Sequence, residues 1–218
     1  FFEVNVPEAA LGWDLRTENA NGPMLLYVRR AALPEPRRDF NILESPWPTG
    51  EQLSGSVSDW TGRSKEVDGS NRMGQILAVG RDNPLVAGAY FVGIYNGSPT
   101  DAASCTLRSR GIGEGFAVPV QPLNLTGPGS VATRLDGLDG READYYRITI
   151  PPNTPSCRLR LTSLDGGEAL LLVHRDSIPH IRTGDGARLD QAGHKLHKLD
   201  REHYLLLPDE GERFLKPG

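Results

Sequence analysis

Residues 145–179 read YYRITIPPNTPSCRLRLTSLDGGEALLLVHRDSIP, and residues 1–34 read FFEVNVPEAALGWDLRTENANGPMLLYVRRAALP. An aromatic pair, an alternating run that ends in proline (ITIP and VNVP) and a strand pattern (CRLR and WDLR) follow in the same order in both segments. After a one-residue slip, LLLVHR aligns with LLYVRR. The chain therefore contains an internal repeat. Its unit is longer than a solenoid repeat, which predicts that each copy is a domain.

Two domains are predicted, at residues 1–112 and 113–218, and they meet in the glycine-rich segment RGIGEG at residues 110–115. These glycines follow neither the dinucleotide-binding nor the phosphate-loop spacing, so we interpret them as a linker. The first domain carries a long polar insertion at residues 34–83, in which glycine, proline and serine indicate successive turns.

The two copies differ at their ends. The second begins with VPVQPLNLTG (residues 118–127), a lead-in strand that the first copy lacks. FLKPG (residues 214–218) aligns with PLVAG (residues 84–88), after which the first copy continues into AYFVGIYN (residues 89–96). The second copy therefore lacks its last strands. Two explanations stay open: the chain is a piece of a longer array, or neighbouring chains complete its sheet edges by strand addition.

Composition and periodicity predict an all-β chain. The 25 glycines and 17 prolines leave few uninterrupted helical windows, whereas period-two alternation is frequent. AYFVGIYN is the clearest strand, and the polar turn GSPTDAA after it predicts a hairpin with residues 104–108. Further strands are predicted at residues 2–6, 13–17, 24–29, 76–79 and 204–207.

Charge and hydropathy exclude several classes of partner. The net charge of -4 and the pI near 5.8 argue against nucleic acid, and there is no basic amphipathic helix for a membrane surface. No apolar run approaches the roughly 20 residues that a membrane span needs. The expected partners are therefore copies of the chain itself, neighbouring domains of a longer chain, or a polymer ligand.

The pattern resembles the bacterial pre-peptidase C-terminal domain family. The motifs that carry the resemblance are DYYRITIP, RLRLT, the glycine/acidic turn LDGGE, the strand LLLV and, in the first copy, GAYFVGIYN. The resemblance implies two tandem jelly-roll-like antiparallel β-sandwich domains from a secreted or cell-surface, and so extracellular, bacterial protein. Members of this family are non-catalytic, and they accompany proteases and other hydrolases or occur in large surface proteins.

Cys105 and Cys157 are the two cysteines of the chain, one in each copy. In a secreted protein an even pair favours a disulfide, within the chain or between chains. The alternative is two buried thiols that pack as small hydrophobic side chains.

A cluster of acidic residues interspersed with glycines is a candidate calcium site, because carboxylate oxygens are the ligands that calcium prefers. The alternative is a set of ordinary solvated hairpin ends, since the spacing is not that of a twelve-residue calcium loop. The candidate ligands are Asp136, Asp139, Glu142, Asp144, Asp165 and Glu168.

Trp47 and Trp60 lie in the long insertion and are the candidate binding surface for a sugar polymer or a peptide fibre. The competing interpretation places both side chains in a core that the insertion extends, because most large aromatic residues are substantially buried.

No nucleophile, acid/base pair or dinucleotide motif emerges, so the chain is predicted not to be an enzyme and to need no cofactor other than calcium. The leading hypothesis is a non-catalytic structural module of a large secreted or surface protein. It would contribute to an extracellular fibre, sheath or adhesive assembly through β-sheet packing or strand exchange. The alternative is an accessory module that targets a secreted hydrolase or protease to a polysaccharide or protein fibre.

Overall fold

The computed structural model describes the following residues: 1–22, 24–34, 52–54, 76–79, 85–123, 125, 137–139, 142–162, 171–179, 193–198 and 201–218. Within these ranges the chain is all-β, with strands and connecting segments and no helix. In the same ranges there is accordingly no helix long and apolar enough to cross a membrane. The strands are β1 Phe2–Val6, β2 Gly12–Glu18, β3 Met24–Arg30, β4 Gln52–Ser54, β5 Ile76–Val79, β6 Gly88–Asn96, β7 Thr106–Ile112, β8 Val120–Pro122, β9 Tyr145–Arg147, β10 Cys157–Thr162, β11 Gly193–Lys198 and β12 Arg201–Leu206.

The chain divides into two compact units. Unit 1 comprises Phe1–Pro119 with Asp176–Gly184, and unit 2 comprises Val120–Arg175 with Asp185–Gly218. The predicted division at residue 112 follows the repeat and stays a prediction.

Unit 1 contains two antiparallel sheets. One has the order β1-β6-β3-β4 and the other the order β5-β2-β7. β6 and β2 are therefore interior strands, each hydrogen-bonded on both edges. An interior strand is covered by neighbours along its whole length, so β6 can place Tyr90 and Val92 fully out of solvent.

Both sheets of unit 1 contribute to one hydrophobic core. Trp13 of β2 meets Tyr90 of β6 edge to face, with ring centroids 5.8 Å apart and ring planes at 72°. Each such buried large side chain contributes about 1.5–3 kcal/mol through removal of apolar surface from water. The core residues are Val6, Ala10, Trp13, Leu15, Leu26, Val28, Leu85, Tyr90 and Val92.

The predicted hairpin after AYFVGIYN is wrong. β7 pairs with β2 in the other sheet, whereas β6 pairs with β1 and β3. Both edges of β6 are occupied, so the chain must leave the sheet. It does so through a polar turn, in which Asn96 Nδ2 donates to the Asp101 carbonyl at 2.6 Å and Ser98 N donates to Asn96 Oδ1 at 2.9 Å.

The segment predicted as a linker forms the end of β7 and a turn that folds back on it. The Val118 amide donates to the Gly111 carbonyl at 3.1 Å, and the Gly113 amide donates to the Val118 carbonyl at 3.0 Å. Phe116 lies directly over Gly111, where a Cβ atom would stand 2.5 Å from the Phe116 ring. The close approach of this ring is the physical reason for glycine here.

Unit 2 contains an antiparallel sheet of order β10-β12-β11 and a separate parallel pair, β8 with β9. Its buried core consists of Cys157, Tyr204, Leu206 and Leu215. In the predicted strand VPVQPLNLTG the structure describes β8, which ends at Pro122. The alternating run ITIP lies outside β9, which ends at Arg147.

The aligned strands of the repeat also share an antiparallel partner strand later in each copy. Trp13 pairs with Val79 in the β2–β5 ladder, and Cys157, which aligns with Trp13, pairs with Leu206 in the β10–β12 ladder. β10 and β12 in unit 2 thus correspond to β2 and β5 in unit 1.

A second correspondence lies at the other end of each copy. Val6 pairs with Gly88 in the β1–β6 ladder. Ile150 and Gly218, which align with them, exchange both backbone hydrogen bonds, at 2.8 and 3.2 Å. The two copies therefore agree in backbone pairing as well as in sequence pattern.

Candidate functional site

Cys105 and Cys157 are both free thiols, which corrects the expectation of a disulfide within the chain. Cys157 lies in the core of unit 2, at the position that Trp13 occupies in unit 1, and packs there as a small hydrophobic side chain. Burial raises the pKa of both thiols and so disfavours the reactive thiolate. A link between chains stays a prediction.

Half of the candidate calcium ligands lie outside the described residues: Asp136, Asp165 and Glu168. Of the others, Glu142 donates its backbone amide to the Asp139 carbonyl at 3.1 Å, which makes a turn. Asp139, Glu142 and Asp144 do not come together, and across the described residues no three His, Cys, Asp or Glu side chains are gathered to hold a metal ion. Calcium binding by the full set stays a prediction.

Asp144 instead acts on its neighbour Tyr146. Burial raises the pKa of the Tyr146 phenol, and the negative charge of Asp144 raises it further. Tyr146 is therefore a neutral hydrogen-bonding group at physiological pH.

Trp47 and Trp60, the candidate binding surface, lie outside the described residues. Trp13 belongs to the core and donates from Nε1 to Ser109 Oγ at 2.8 Å. Among the described residues, the most exposed aromatic side chains are Phe1 and Phe2, at 68% and 51% exposure.

A buried ion cluster lies on the β2–β7 strand pair of unit 1. Arg16 donates from Nε to Asp14 Oδ1 at 3.0 Å and from Nη2 to Oδ2 at 2.6 Å. Arg110, directly opposite Asp14 in the ladder, donates to the same Oδ2 through Nε at 3.1 Å and also through Nη2. Asp14 and Arg16 are only 6% and 5% exposed, so this bidentate pairing compensates their lost hydration.

Two residues further along the same strands, Arg108 forms a salt bridge of 2.9 Å with Glu18 at a more exposed position. Because β-strand side chains alternate between faces, Asp14, Arg16 and Glu18 share the face opposite Trp13. Both Asp14 oxygens are engaged by guanidinium groups, so the cluster joins β2 to β7 and is not arranged as an acid or base. Sequence reasoning missed it, although the alternating charges of WDLR and LRSR were a signal.

The remaining candidate site is a strand edge. Among the described strands, β1 is the outermost of its sheet, and an edge strand offers backbone groups to another strand. Phe1 at this edge packs edge to face on Tyr95 with centroids 5.7 Å apart, and Tyr95 packs likewise on Tyr27 at 5.5 Å. In unit 2, the strand aligned with β1 is β9, and β8 lies along it in parallel.

The outer edge of β1 is therefore the position at which unit 2 carries a further strand. Leu123, directly after that further strand, donates its amide to the Arg147 carbonyl at 2.8 Å, and Arg147 aligns with Glu3. Glu3 and Asn5 are thus the residues of β1 whose backbone faces outward.

No family model, no curated protein and no solved structure matches this chain. The resemblance to the pre-peptidase C-terminal domain family stays a prediction that rests on strand patterns.

Proposed function

We propose that the chain is a non-catalytic structural module of a large secreted or surface-exposed protein. In this proposal, each copy of the repeat is a jelly-roll-like β-sandwich that works without a cofactor. The module contributes to an extracellular fibre, sheath or adhesive assembly through sheet packing or strand exchange. The observation that carries the proposal is that β1 ends its sheet among the described strands, at the place where unit 2 bears β8.

Two further features support strand addition at this edge. An aromatic row runs from Phe1, beside β1, across the sheet through Tyr95 of β6 to Tyr27 of β3, with Phe1 largely exposed and Tyr27 buried. Edge strands that avoid association usually carry several charges or a proline, whereas β1 carries the single charge of Glu3 and its proline follows the strand. An added strand would therefore meet little electrostatic or steric resistance.

Glu3 offers the sharpest test. Hydrogen-bonded pairs alternate along an antiparallel ladder. Val6 aligns with Ile150, which exchanges both backbone hydrogen bonds with its partner. The backbone groups of Phe2, Val4 and Val6 are therefore directed to β6, and those of Glu3 face outward. Glu3→Pro removes the outward amide and leaves the β1–β6 bonds in place. Glu3→Thr is the matched control, because it removes the charge and keeps the amide.

Sedimentation velocity and electron microscopy of the purified chain provide the readout. We expect concentration-dependent association of the chain and of Glu3→Thr, and loss of association in Glu3→Pro with unchanged unfolding. A chain that stays monomeric, or a Glu3→Pro variant that associates equally well, would contradict the proposal. Cosedimentation of a monomeric chain with an insoluble polysaccharide would favour polymer targeting instead.

A further inference from the structure

β10 of unit 2 presents two arginines to water. Cys157 of this strand is buried in the core and Leu159 is partly buried. Arg158 and Arg160, which alternate with them, are exposed. Successive side chains of a strand point to opposite faces, and residues two apart lie about 7 Å from each other along the strand. The two arginines therefore stand in a row on the face of the sheet opposite the core.

These arginines differ from those of the ion cluster in unit 1. Arg16 and Arg110 both bind the carboxylate of Asp14. Across the part of the chain that the structure describes, neither Arg158 nor Arg160 forms an ion pair. A guanidinium group presents two parallel N–H donors that match the two oxygens of a carboxylate. Both exposed arginines can therefore offer this donor pair to a ligand.

The charge on this face is a difference between the two copies of the repeat. The aligned positions hold an acid, an arginine and an acid in β2, and two arginines and a threonine in β10. Each strand packs on its core through the other face, so the core does not require the change. The aligned pairs are Asp14 with Arg158, Arg16 with Arg160 and Glu18 with Thr162.

The sheet β10-β12-β11 is basic within an acidic chain. Its strands contain five of the 24 lysine and arginine residues and one of the 28 aspartate and glutamate residues. The sheet therefore carries a charge of +4 and the rest of the chain -8, which together give the net charge of -4. A negatively charged ligand is attracted to this sheet and repelled elsewhere.

The strand register separates the basic positions from the acid of the sheet. Arg160 lies opposite His203, and Arg201 lies opposite Lys198. Directly opposite residues belong to the same face of a sheet. Glu202 lies between Arg201 and His203 in β12 and so belongs to the alternate set of positions. The basic positions of neighbouring strands are thus side by side.

We propose that unit 2 binds a linear polysaccharide that carries carboxylate groups. The binding surface is the basic face, which we define by Arg158, Arg160 and His203. The two exposed guanidinium groups bind carboxylates of successive parts of the polymer, and the sheet holds them at a fixed spacing. The inference goes beyond the proposed function, because it concerns a different sheet from the one that ends at β1.

The spacing of charge favours this ligand over nucleic acid. Duplex DNA carries one negative charge per about 1.7 Å of its axis. The arginines of β10 stand about 7 Å apart, so they would neutralise only a small part of that charge. The charge of -8 on the rest of the chain would repel so dense a polyanion. A chain of uronic acids is less densely charged, because each carboxylate is carried by a whole sugar ring.

Polygalacturonate is the probe, and its methyl ester is the matched uncharged polymer. Isothermal titration calorimetry of the purified chain measures binding to each. We expect the chain to bind polygalacturonate, with an affinity that falls as salt is added, and not to bind the methyl ester. Equal binding to both polymers, or no binding to either, would overturn the proposal.

The double variant Arg158→Gln/Arg160→Gln tests the basic face itself. It should bind polygalacturonate about tenfold or more weakly, because two charge-assisted contacts are lost. The matched control is Arg147→Gln/Arg213→Gln, which removes two exposed arginines of unit 2 outside this sheet and makes the same change in net charge. It should bind within about twofold of the unaltered chain. An equal loss in both double variants would contradict a site on the basic face.

Two further measurements test the choice of ligand. Tighter binding of a single-stranded oligonucleotide than of polygalacturonate would overturn the proposal and assign the face to nucleic acid. Self-association that Arg158→Gln/Arg160→Gln abolishes, measured by sedimentation without polymer, would overturn it in favour of a second copy of the chain. Glu3→Pro should bind polygalacturonate as the unaltered chain does, which keeps this test separate from that of strand addition.

Discussion

β2 and β10 occupy the same place in the repeat, yet one is buried and the other is half-exposed. Six of the seven β2 residues are buried, whereas β10 alternates from the buried Cys157 through partly buried leucines and exposed arginines. β2 lies between β5 and β7, while β10 ends its described sheet with β12 on one side. The same strand pattern thus acquires a core environment only from the neighbours that cover it.

The charged faces of these strands differ for the same reason. Asp14 and Arg16 form a buried ion pair that Arg110 of β7 completes. The aligned residues of β10 are Arg158 and Arg160, both exposed to water. A buried charge requires a partner of opposite charge. The acidic residue Asp14 therefore occurs on β2, where the neighbouring strand β7 excludes water.

The largest effect should come from this cluster. Asp14→Asn leaves two guanidinium groups without their carboxylate and should destabilise unit 1 by about 3–5 kcal/mol. All three tryptophans lie at residues 13, 47 and 60, so urea unfolding followed by tryptophan fluorescence reports on unit 1.

Arg158→Gln is the matched change in unit 2, because it removes a charge from an exposed side chain. Its effect should stay within about 0.5 kcal/mol. Equal costs for the two variants would mean that burial of the cluster does not distinguish the units.

The second comparison concerns an aligned pair of core leucines. Leu15 is fully buried, and Leu15→Ala should cost about 3–5 kcal/mol through lost burial and the cavity left behind. Leu159 is only partly buried, so Leu159→Ala should cost about half as much. Hydrogen exchange of β2 and β10 measures each unit separately, and a larger loss at Leu159 would mean that burial does not set the cost.

Backbone conformation gives a third, smaller contrast. Gly88 has φ 133° at the first rung of the five-pair β1–β6 ladder, so Gly88→Ala should cost about 1–3 kcal/mol in strain. Gly218 has φ 144° and lies outside the described strands, so Gly218→Ala should cost less than about 1 kcal/mol. Thermal unfolding of both variants checks the order.

The smallest effect should be the acid response of unit 2. A hydrogen bond and the positive charge of Lys216, with help from Arg175, hold the pKa of Asp209 below its ordinary value of 3.8. The ionised carboxylate therefore stabilises unit 2 at pH values above 3.8, and this contribution disappears as pH falls through the lower pKa of the folded state.

Asp209→Asn should flatten the acid limb of the unit 2 stability curve between about pH 5 and pH 2, and Lys216→Met should do the same. Amide hydrogen exchange at Tyr204 measures the stability of unit 2. An unchanged acid limb in both variants would show that the Asp209–Lys216 pair contributes nothing.

Local periodicity located most strands correctly. The predicted strands at residues 2–6, 13–17, 24–29 and 89–96 match β1, β2, β3 and β6 to within two residues. Alternation of apolar side chains is a property of the segment itself, so it can be read without knowledge of the neighbours. The segment ITIP shows the limit, because it alternates equally well and lies outside β9.

Which strands become neighbours could not be predicted from local periodicity. The turn after AYFVGIYN has hairpin chemistry, and yet β7 joins β2, because β1 and β3 already flank β6. The ion cluster was missed for the same reason. Asp14 and Arg110 are far apart in sequence, and their pairing follows from the β2–β7 register.

The amino-acid sequence by itself determined that the chain is all-β, that its pattern occurs twice, and which short segments can become strands. Only the tertiary structure decided which strands are neighbours, which leucines are buried and which charges share a face. Alternation depends on residues two apart, whereas burial and charge pairing depend on strands brought together from distant parts of the chain.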